Sequence, residues 1–305
     1  MNGVIMKIFV TGASGFIGSA VTTELLSNGH EVVGLARSEE SADVIRALGA
    51  SVARGSLEEP ETFAAGAAEA DGVAHMAFRH VFTEFPKNVA LDRAVLEAMA
   101  AVLEGTDKPL SIAGGTAGIA PGRLALETDD PDAEASAANG DRAANGRYVL
   151  GLVARGVRSS VVRFAPTVHD SVKRGFMGEY VDIARRTGVA GYVGDGSNRW
   201  SAVHVSDAAR LVRLALEAAP AGTTLHGVGE EAVVIRDVAE LVGARLGVPT
   251  ASIDPADAPA HFGWLAAFIG SDIPASNALT REWMRWTPTG PTLTQDLSDG
   301  SWFDA

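Results

Sequence analysis

The 305-residue sequence has no cysteine. Disulfides and thiolate metal sites are therefore excluded. A cysteine-free chain fits a reducing compartment, and a cytoplasmic location is the expectation. Positive charge is also in short supply: 25 Lys and Arg against 38 Asp and Glu leave a formal charge of −13. That disfavours a nucleic-acid partner, because phosphate binding is driven by counterions released onto a basic face. It leaves room for a local basic pocket that takes a small anion. No apolar run approaches the ~20 residues a membrane helix needs, so no membrane partner is expected. The opening MNGVIMKIFV runs directly into a strand, with no basic-then-apolar signal architecture. No internal repeat is visible. No two histidines are spaced as metal ligands with an acid nearby, so no metal is expected.

What is present begins at residues 4–10, VIMKIFV, an apolar β-rich run. TGASGFIG follows, then a helical pattern carried by Ile17, Val21, Leu25 and Leu26, an NGH stop, and a second strand, EVVGLA. Strand, glycine turn, helix and strand make a βαβ unit. Gly12 permits the tight turn, Gly15 lets a diphosphate approach the backbone, and Gly18 lets the helix pack close to the sheet. The helix N-terminus then faces the phosphates. Residues Ser14, Phe16 and Ile17 of the same loop complete the expected contact set; the alternative is a plain βα turn.

The second strand ends Ala36-Arg37-Ser38. An acid at this place holds a ribose 2′-hydroxyl, whereas a basic residue accommodates a 2′-phosphate. Arg37 can pair with a phosphate and Ser38 can donate to it, which favours NADP, with NAD as the alternative. Arg37 is otherwise a solvated charge, or stacks on adenine without discriminating. The alternation continues with expected strands at 51–57, 72–78, 109–115 and 157–164 and an amphipathic helix at 89–103. Strands alternating with helices predict an α/β fold: a doubly wound parallel sheet covered on both faces.

TGASGFIG at 11–18, GSL at 55–57, AHMAF at 74–78, RFAPTVHD at 163–170 and RWSAVHVSDAARLVRLAL at 199–216 together resemble the extended short-chain dehydrogenase/reductase family, which contains the sugar-nucleotide epimerases and dehydratases. The resemblance covers essentially the whole chain. It implies a Rossmann lobe from 1–169 and 199–226, and a smaller, interleaved substrate lobe from 170–198 and 227–305. It adds Gly55, Ser56, Leu57, Met76, Ala77, Phe78, Ala113, Phe164, Ala165, Pro166 and Val168 to the expected cofactor contacts. By analogy it also suggests a homodimer through two helices of the main lobe.

One family feature is missing. A Ser or Thr, a Tyr and a Lys form the family's catalytic set, with Tyr and Lys four apart on one helix. The three tyrosines here, Tyr148, Tyr180 and Tyr192, are followed four residues on by Leu152, Ala184 and Gly196. By position, Arg142 stands where the tyrosine is expected and Gly146 where the lysine is expected. The family hydroxyl falls near Gly115, with Thr116 beside it; Thr116 either bonds a substrate oxygen or is a cap or turn residue. Arg142 is a poor general acid, but it can hold a carboxylate or a developing oxyanion; otherwise it pairs with Asp141 or Glu134. His169 follows the sixth strand and can donate a proton, or it is a structural histidine bonding a loop carbonyl. Tyr148 reads as a core or hinge aromatic, His75 as a satisfied core histidine, His30 as a surface-turn residue and His204 as a cap-region residue.

In the substrate lobe, Arg199 matches a position where the family contacts a substrate phosphate or carboxylate; the alternative is an ion pair with Asp195 or Asp207. Phe176 and Trp200 are candidate pocket walls. The stretch 261–276 lines a pocket or closes the small core. A helix is expected at 232–246, and Trp283 and Trp286 are expected to share a packing face. Three functions compete: an NADP-dependent oxidoreductase of a small carbonyl or alcohol with a non-standard proton relay, a nucleotide-sugar epimerase or dehydratase, and a dinucleotide sensor without turnover.

Overall fold

The computed structural model describes residues 4–81, 84–130 and 142–304. Its centre is a seven-stranded sheet in the order β10-β6-β5-β4-β1-β2-β3, in which every pairing is parallel. The strands are β1 (Lys7–Thr11), β2 (Glu31–Ala36), β3 (Ser51–Arg54), β4 (Gly72–His75), β5 (Pro109–Gly115), β6 (Arg158–Phe164) and β10 (Thr223–Gly227). From β1 the chain steps outward through β2 and β3. It then returns to lay β4 on the other side of β1 and proceeds the opposite way. The reversal leaves a crevice beyond the carboxyl ends of β1 and β4, where ligands bind in such sheets.

Strands β1 to β5 each lead to a helix that covers one face, and a helix from later in the chain joins them. On one side pack α1 (Phe16–Ser27), α2 (Glu39–Ala47) and α7 (Val205–Ala218). On the other pack α3 (Pro60–Glu69), α4 (Phe85–Leu103) and α5 (Arg142–Gly151). The alternation in β1 sorts the two cores. Ile8 and Val10 enter a cluster with Val21, Leu25, Ala209 and Leu216, while Phe9 points the other way onto Phe63, Val95, Met99 and Val149. Prolines at the first turns of α3 and α4 fix those starts.

The second half adds a three-stranded sheet, β11-β9-β7, and a two-stranded one, β12-β8. Their strands are β7 (Thr167–His169), β8 (Ala190–Val193), β9 (Arg199–His204), β11 (Glu230–Val234) and β12 (Thr250–Ile253). With α6 (Gly175–Thr187), α8 (Ile235–Leu246) and α10 (Leu293–Asp299) they enclose a third core built on Tyr180, Trp200, Phe262 and Trp302, while α9 (Ala278–Met284) packs Met284 into the first core. Among the described residues no helix is long and apolar enough to cross a membrane.

Several local expectations differ from what is observed. The strand expected at 51–57 stops at Arg54, and that expected at 72–78 stops at His75, because both segments leave the sheet to form crevice loops. The helix expected from 232 starts at Ile235, since Glu230–Val234 pair with β9. Trp283 and Trp286 do not share a face: α9 ends at Met284, Arg285 adopts φ +48°, and Trp286 turns into the core while Trp283 stays exposed. His30 is buried, its Nδ1 accepting from the Met6 amide and its Nε2 3.0 Å from Glu217.

The glycine turn is packed to the limit of its backbone. A Cβ on Gly18 would lie 1.9 Å from the Gly12 carbonyl oxygen, whereas one on Gly15 would approach that atom only to 3.2 Å. Gly18→Ala is therefore expected to destabilise the chain by about 2–3 kcal/mol or more, and Gly15→Ala by much less. Thermal unfolding of the two variants checks the order, and an unshifted midpoint for Gly18→Ala would contradict this packing.

Candidate functional site

The crevice is assembled from the loops after β1, β4, β5 and β6. After β1, Gly12 takes φ +67°, and a Cβ there would sit 2.8 Å from the Ala77 nitrogen of the loop after β4. Gly15 caps α1 with its backbone only. Among the described residues no side chain caps the helix N-terminus, and no acid stands in its first turn. The N–H groups of Phe16, Ile17 and Gly18 are thus left at the positive end of the helix dipole, the arrangement that takes a phosphate. The half-buried Ser14 lies within the same turn. Close packing, positive φ and an uncapped helix fit a dinucleotide diphosphate.

The start of α2 is built the opposite way. Ser38 caps it, its Oγ accepting from the Ser41 amide, and Glu39 and Glu40 occupy the first turn. Glu39 is engaged by Arg46 and Arg54. Arg37 is exposed and meets no acid among the described residues. Beside it, the Gly55 amide donates to the Ala36 carbonyl at 3.2 Å, and Ser56 reaches toward Glu59; Leu57 is half-buried in the same loop. Met76, Ala77 and Phe78 leave β4 half-buried, and the Ala77 amide donates to the Thr11 hydroxyl at 3.2 Å. On the far side of the crevice, Phe164 and Ala165 are buried, and Pro166 and Val168 are half-buried.

Arg142 opens α5. Its guanidinium lies 3.8 Å from the centre of the Phe78 ring, and one Nη donates to the Ala113 carbonyl at 3.1 Å. The structure therefore gathers Phe78, Ala113 and Arg142 at one point of the sheet's carboxyl edge. Burial pushes the guanidinium down from its ordinary range, opposed by the charge of Asp92. Asp141 and Glu134, the partners a solvated helix would offer, lie outside the described residues. Gly146, at the lysine position, carries no side chain. Tyr148 sits under Arg93, whose guanidinium is 3.8 Å from its ring centre.

Below Arg142 runs a chain of buried polar groups. The Thr11 hydroxyl is 2.7 Å from His75 Nδ1, His75 Nε2 is 3.0 Å from Asp92 Oδ1, and Asn145 Nδ2 donates to Asp92 Oδ2 at 2.7 Å. Burial opposes ionisation of Asp92, but the hydrogen bond with His75, supported by the charge of Arg142 and the bond from Asn145, holds its carboxyl below the ordinary range. Asp92 and Asn145 are absent from the sequence expectations. The available signal is an acid in the middle of the apolar stripe formed by Val89, Val95, Leu96 and Met99.

Thr116 and His169 stand elsewhere. Thr116 is 2% exposed, with its hydroxyl 3.4 Å from that of Ser201 and its amide bonded to the Phe164 carbonyl. His169 is fully buried in the seam between β7 and α10, with Nδ1 2.7 Å from Asp296 and Nε2 3.8 Å from Glu230. His75 has the two partners of a satisfied core histidine, and His204 caps α7.

In the second half, Arg199 is clamped by Asp272 through two side-chain bonds of 3.0 and 2.8 Å and a backbone bond of 2.8 Å. Neither Asp195 nor Asp207 is its partner. The pair borders a shallow pocket with Gly194, Asn198 and Gly270. Trp200 is buried and donates to the Ser271 carbonyl. Phe176 packs its ring against Trp200, Trp264 and Phe268.

A uniformly parallel sheet with a glycine turn at its switch point defines a Rossmann-type nucleotide-binding fold. Residues 8–129 match the NAD dependent epimerase/dehydratase family. An uncharacterized protein of Schizosaccharomyces pombe is 41% identical over 300 residues, covering 98% of this chain and 100% of the relative. A 4-hydroxy-2-methyl-3-oxo-4-farnesyl-3,4-dihydroquinoline-1-oxide ketoreductase of Stigmatella aurantiaca is 30% identical, covering 88% and 84%. The structure of a dTDP-glucose 4,6-dehydratase from Streptomyces venezuelae, with NAD and TYD bound, superposes with a TM-score of 0.74 at 16% identity, covering 98% and 97%. The chain belongs to the NAD dependent epimerase/dehydratase family.

Burial holds both His169 and His226 below the ordinary histidine range. His226 Nδ1 faces the Ser276 carbonyl and so carries the proton, which leaves a buried Nε2 lone pair; the His169 Nε2 also lacks a hydrogen bond. These groups take up protons on unfolding, so the stability they contribute is present above the unfolded value and falls away as pH drops below it. Glu230, pushed up by burial, acts in the opposite sense. His80 and His261 are held low by burial as well, so with four histidines against Glu230 the urea midpoint is expected to fall between about pH 7.5 and about pH 5.5. A midpoint that is level or rises over that span would show that the histidines are not held neutral.

Proposed function

We propose that this chain is an NADPH-dependent reductase of small carbonyl compounds, with Arg142 as the group that faces the reacting oxygen. The observation that carries the reading is the Arg142 guanidinium, laid on Phe78 and docked on the Ala113 carbonyl at the crevice edge. The reading divides the chain into a cofactor lobe, 1–169 with 199–226, and a substrate lobe, 170–198 with 227–305.

The uncapped α1 N-terminus receives the diphosphate, and the Gly12 turn lets it approach the backbone. Arg37 takes a 2′-phosphate: no acid pairs with it among the described residues, and Glu39 is already engaged by two arginines. NADPH held there would supply a hydride to the carbonyl carbon. Arg142 stabilises the negative charge that the carbonyl oxygen gains, by a cation held in a desolvated place. It does not give up a proton, because a guanidinium stays charged at any working pH. The proton that completes the alcohol comes from water reaching the crevice. The fully buried His169 is a structural clasp on α10, and the buried Thr116 fixes the turn after β5 against β9.

The ketoreductase named among the relatives supports carbonyl reduction. The Arg199–Asp272 pair argues against a nucleotide sugar, because the cation suited to its diphosphate is already neutralised. Sensing without turnover is favoured by one observation, the absence of any Tyr-x-x-x-Lys pair. A panel of aldehydes and ketones separates the two readings: a reductase consumes NADPH with at least one of them, and a sensor with none.

Two substitutions test the roles. Arg142→Ala is expected to lower kcat/KM by about 100-fold while NADPH affinity stays within about twofold; unaltered turnover would remove Arg142 from the chemistry. Arg37→Ala is expected to weaken NADPH by about tenfold or more and NADH by less than about twofold. An equal loss of both coenzymes, read by titration of tryptophan fluorescence, would overturn the NADP preference.

A further inference from the structure

An arginine is an awkward first residue for a helix. Its charge stands at the positive end of the helix dipole, the first turn of α5 contains no acid, and the guanidinium is pressed against an aromatic ring. Only one of its N–H bonds finds a protein acceptor among the described residues. Something must hold this cation in place. Among the described residues no acid forms an ion pair with it; the buried Asp92 on α4 supplies the charge that opposes the effect of burial on its guanidinium.

The bonding of Asp92 can be assigned donor by donor. The Ala77 amide donates to the Thr11 hydroxyl, so the hydroxyl proton is free to point at His75 Nδ1. His75 then carries its proton on Nε2 and donates it to Asp92 Oδ1. Asn145 donates to Asp92 Oδ2 and also to the Val89 carbonyl, the latter at 3.1 Å. Both carboxylate oxygens therefore accept, each member of the chain is satisfied, and no proton has a second place to go. Such fully satisfied networks specify one arrangement, because every alternative strands a buried polar group.

The two ends of the network matter. At one end it starts on Thr11 and Ala77, whose backbone touches the Gly12 turn. At the other, Asn145 stands three residues after Arg142 on α5, so the two share a helix face. We propose that Asp92 is the positioning residue of the site: pinned through His75 to the dinucleotide turn and through Asn145 to α5, its buried carboxylate supplies the counter-charge that keeps the Arg142 guanidinium flat on Phe78. The role in turnover rests on the reductase reading above. The role in placing Arg142 does not.

Asp92→Asn tests both. The substitution keeps the shape and the acceptor for His75, but it removes the charge and sets an amide against the Asn145 amide. Three measurements are made on the full-length protein. Tryptophan fluorescence gives NADPH affinity, steady-state kinetics separates kcat from KM, and the Nε–H resonance of Arg142 in 15N-arginine-labelled protein, identified by its loss in Arg142→Lys, reports the guanidinium directly. The expected result is NADPH affinity within about twofold, kcat down by about tenfold or more with KM changed by less than about threefold, and a shifted or broadened Arg142 resonance. A part that only glues α4 to α5 would lower the unfolding temperature and leave the resonance and the kcat-to-KM split where they were; that result, or unchanged kcat, overturns the proposal. Should Asp92→Asn not fold, Asn145→Ala removes one of the two bonds to the carboxylate and must move the same resonance, and an unmoved resonance counts against the proposal in the same way. If the unaltered protein turns over nothing yet the resonance moves in Asp92→Asn, the positioning role stands and the reductase reading falls.

Discussion

The approach of one backbone to another at the end of β1 is the constraint on which the rest depends. The Gly12 carbonyl leaves no space for a side chain on Gly18, and Gly12 itself abuts the Ala77 nitrogen. These contacts bring the first turn of α1, the end of β1 and the loop after β4 together at the switch point of the sheet. A side chain at either glycine would push the helix off the strand and open the crevice. Because the turn closes with backbone alone, the N-terminus of α1 keeps its N–H groups unsatisfied by side chains. The packing and the anion site are thus one feature.

Charge is arranged around that feature with economy. The chain is strongly acidic overall, yet the crevice rim carries Arg37 and Arg142. Several arginines elsewhere are matched to acids, Arg46 and Arg54 to Glu39, Arg123 to Asp129, Arg199 to Asp272, Arg213 to Glu24 and Glu217, while others such as Arg158 and Arg163 bond backbone carbonyls. The pairing is itself informative. An exposed ion pair contributes little stability, but it removes a cation from the set available to a ligand. Arg199 illustrates this: resemblance alone makes it a substrate contact, and its two-pronged bond to Asp272 makes it a wall of the pocket rim.

The parts of the fold that were legible in the sequence were those fixed by local periodicity and backbone chemistry. The β1-α1-β2 unit follows from an apolar run, three glycines and an NG stop, and β5 occupies 109–115 as its apolar run implies. Boundaries slipped where the chain leaves the sheet with apolar residues still in hand, as after His75, because crevice loops carry the same residue types as strands. Trp286 was misplaced because a left-handed residue, Arg285, breaks the helix before the periodicity does. In the site, Arg142 was legible by position between two strands. Asp92 was not, since its partners His75 and Asn145 stand 17 and 53 residues away, and no spacing rule links an acid on one helix to an amide on another. Asp272, 73 residues from Arg199, escaped pairing for the same reason.

On the proposed reading, an arginine at the position where the family resemblance places a tyrosine changes which part of a carbonyl reduction the protein has to supply. A phenol shared with a lysine both stabilises the oxygen and hands it a proton, and it needs a tuned pKa to do so. A guanidinium offers only the first, but it offers it at every pH, and its demand is for a fixed orientation and a counter-charge rather than for tuning. The structure meets that demand from below: an aromatic ring supports the guanidinium plane, a carbonyl holds one edge, and a buried carboxylate that touches neither supplies the opposite sign. Were that carboxylate in direct contact, it would consume the donors that a substrate oxygen needs, as Asp272 does for Arg199. Linked to α5 through Asn145, with no ion pair to Arg142 among the described residues, it would on the proposed reading stabilise the cation without taking up its donors.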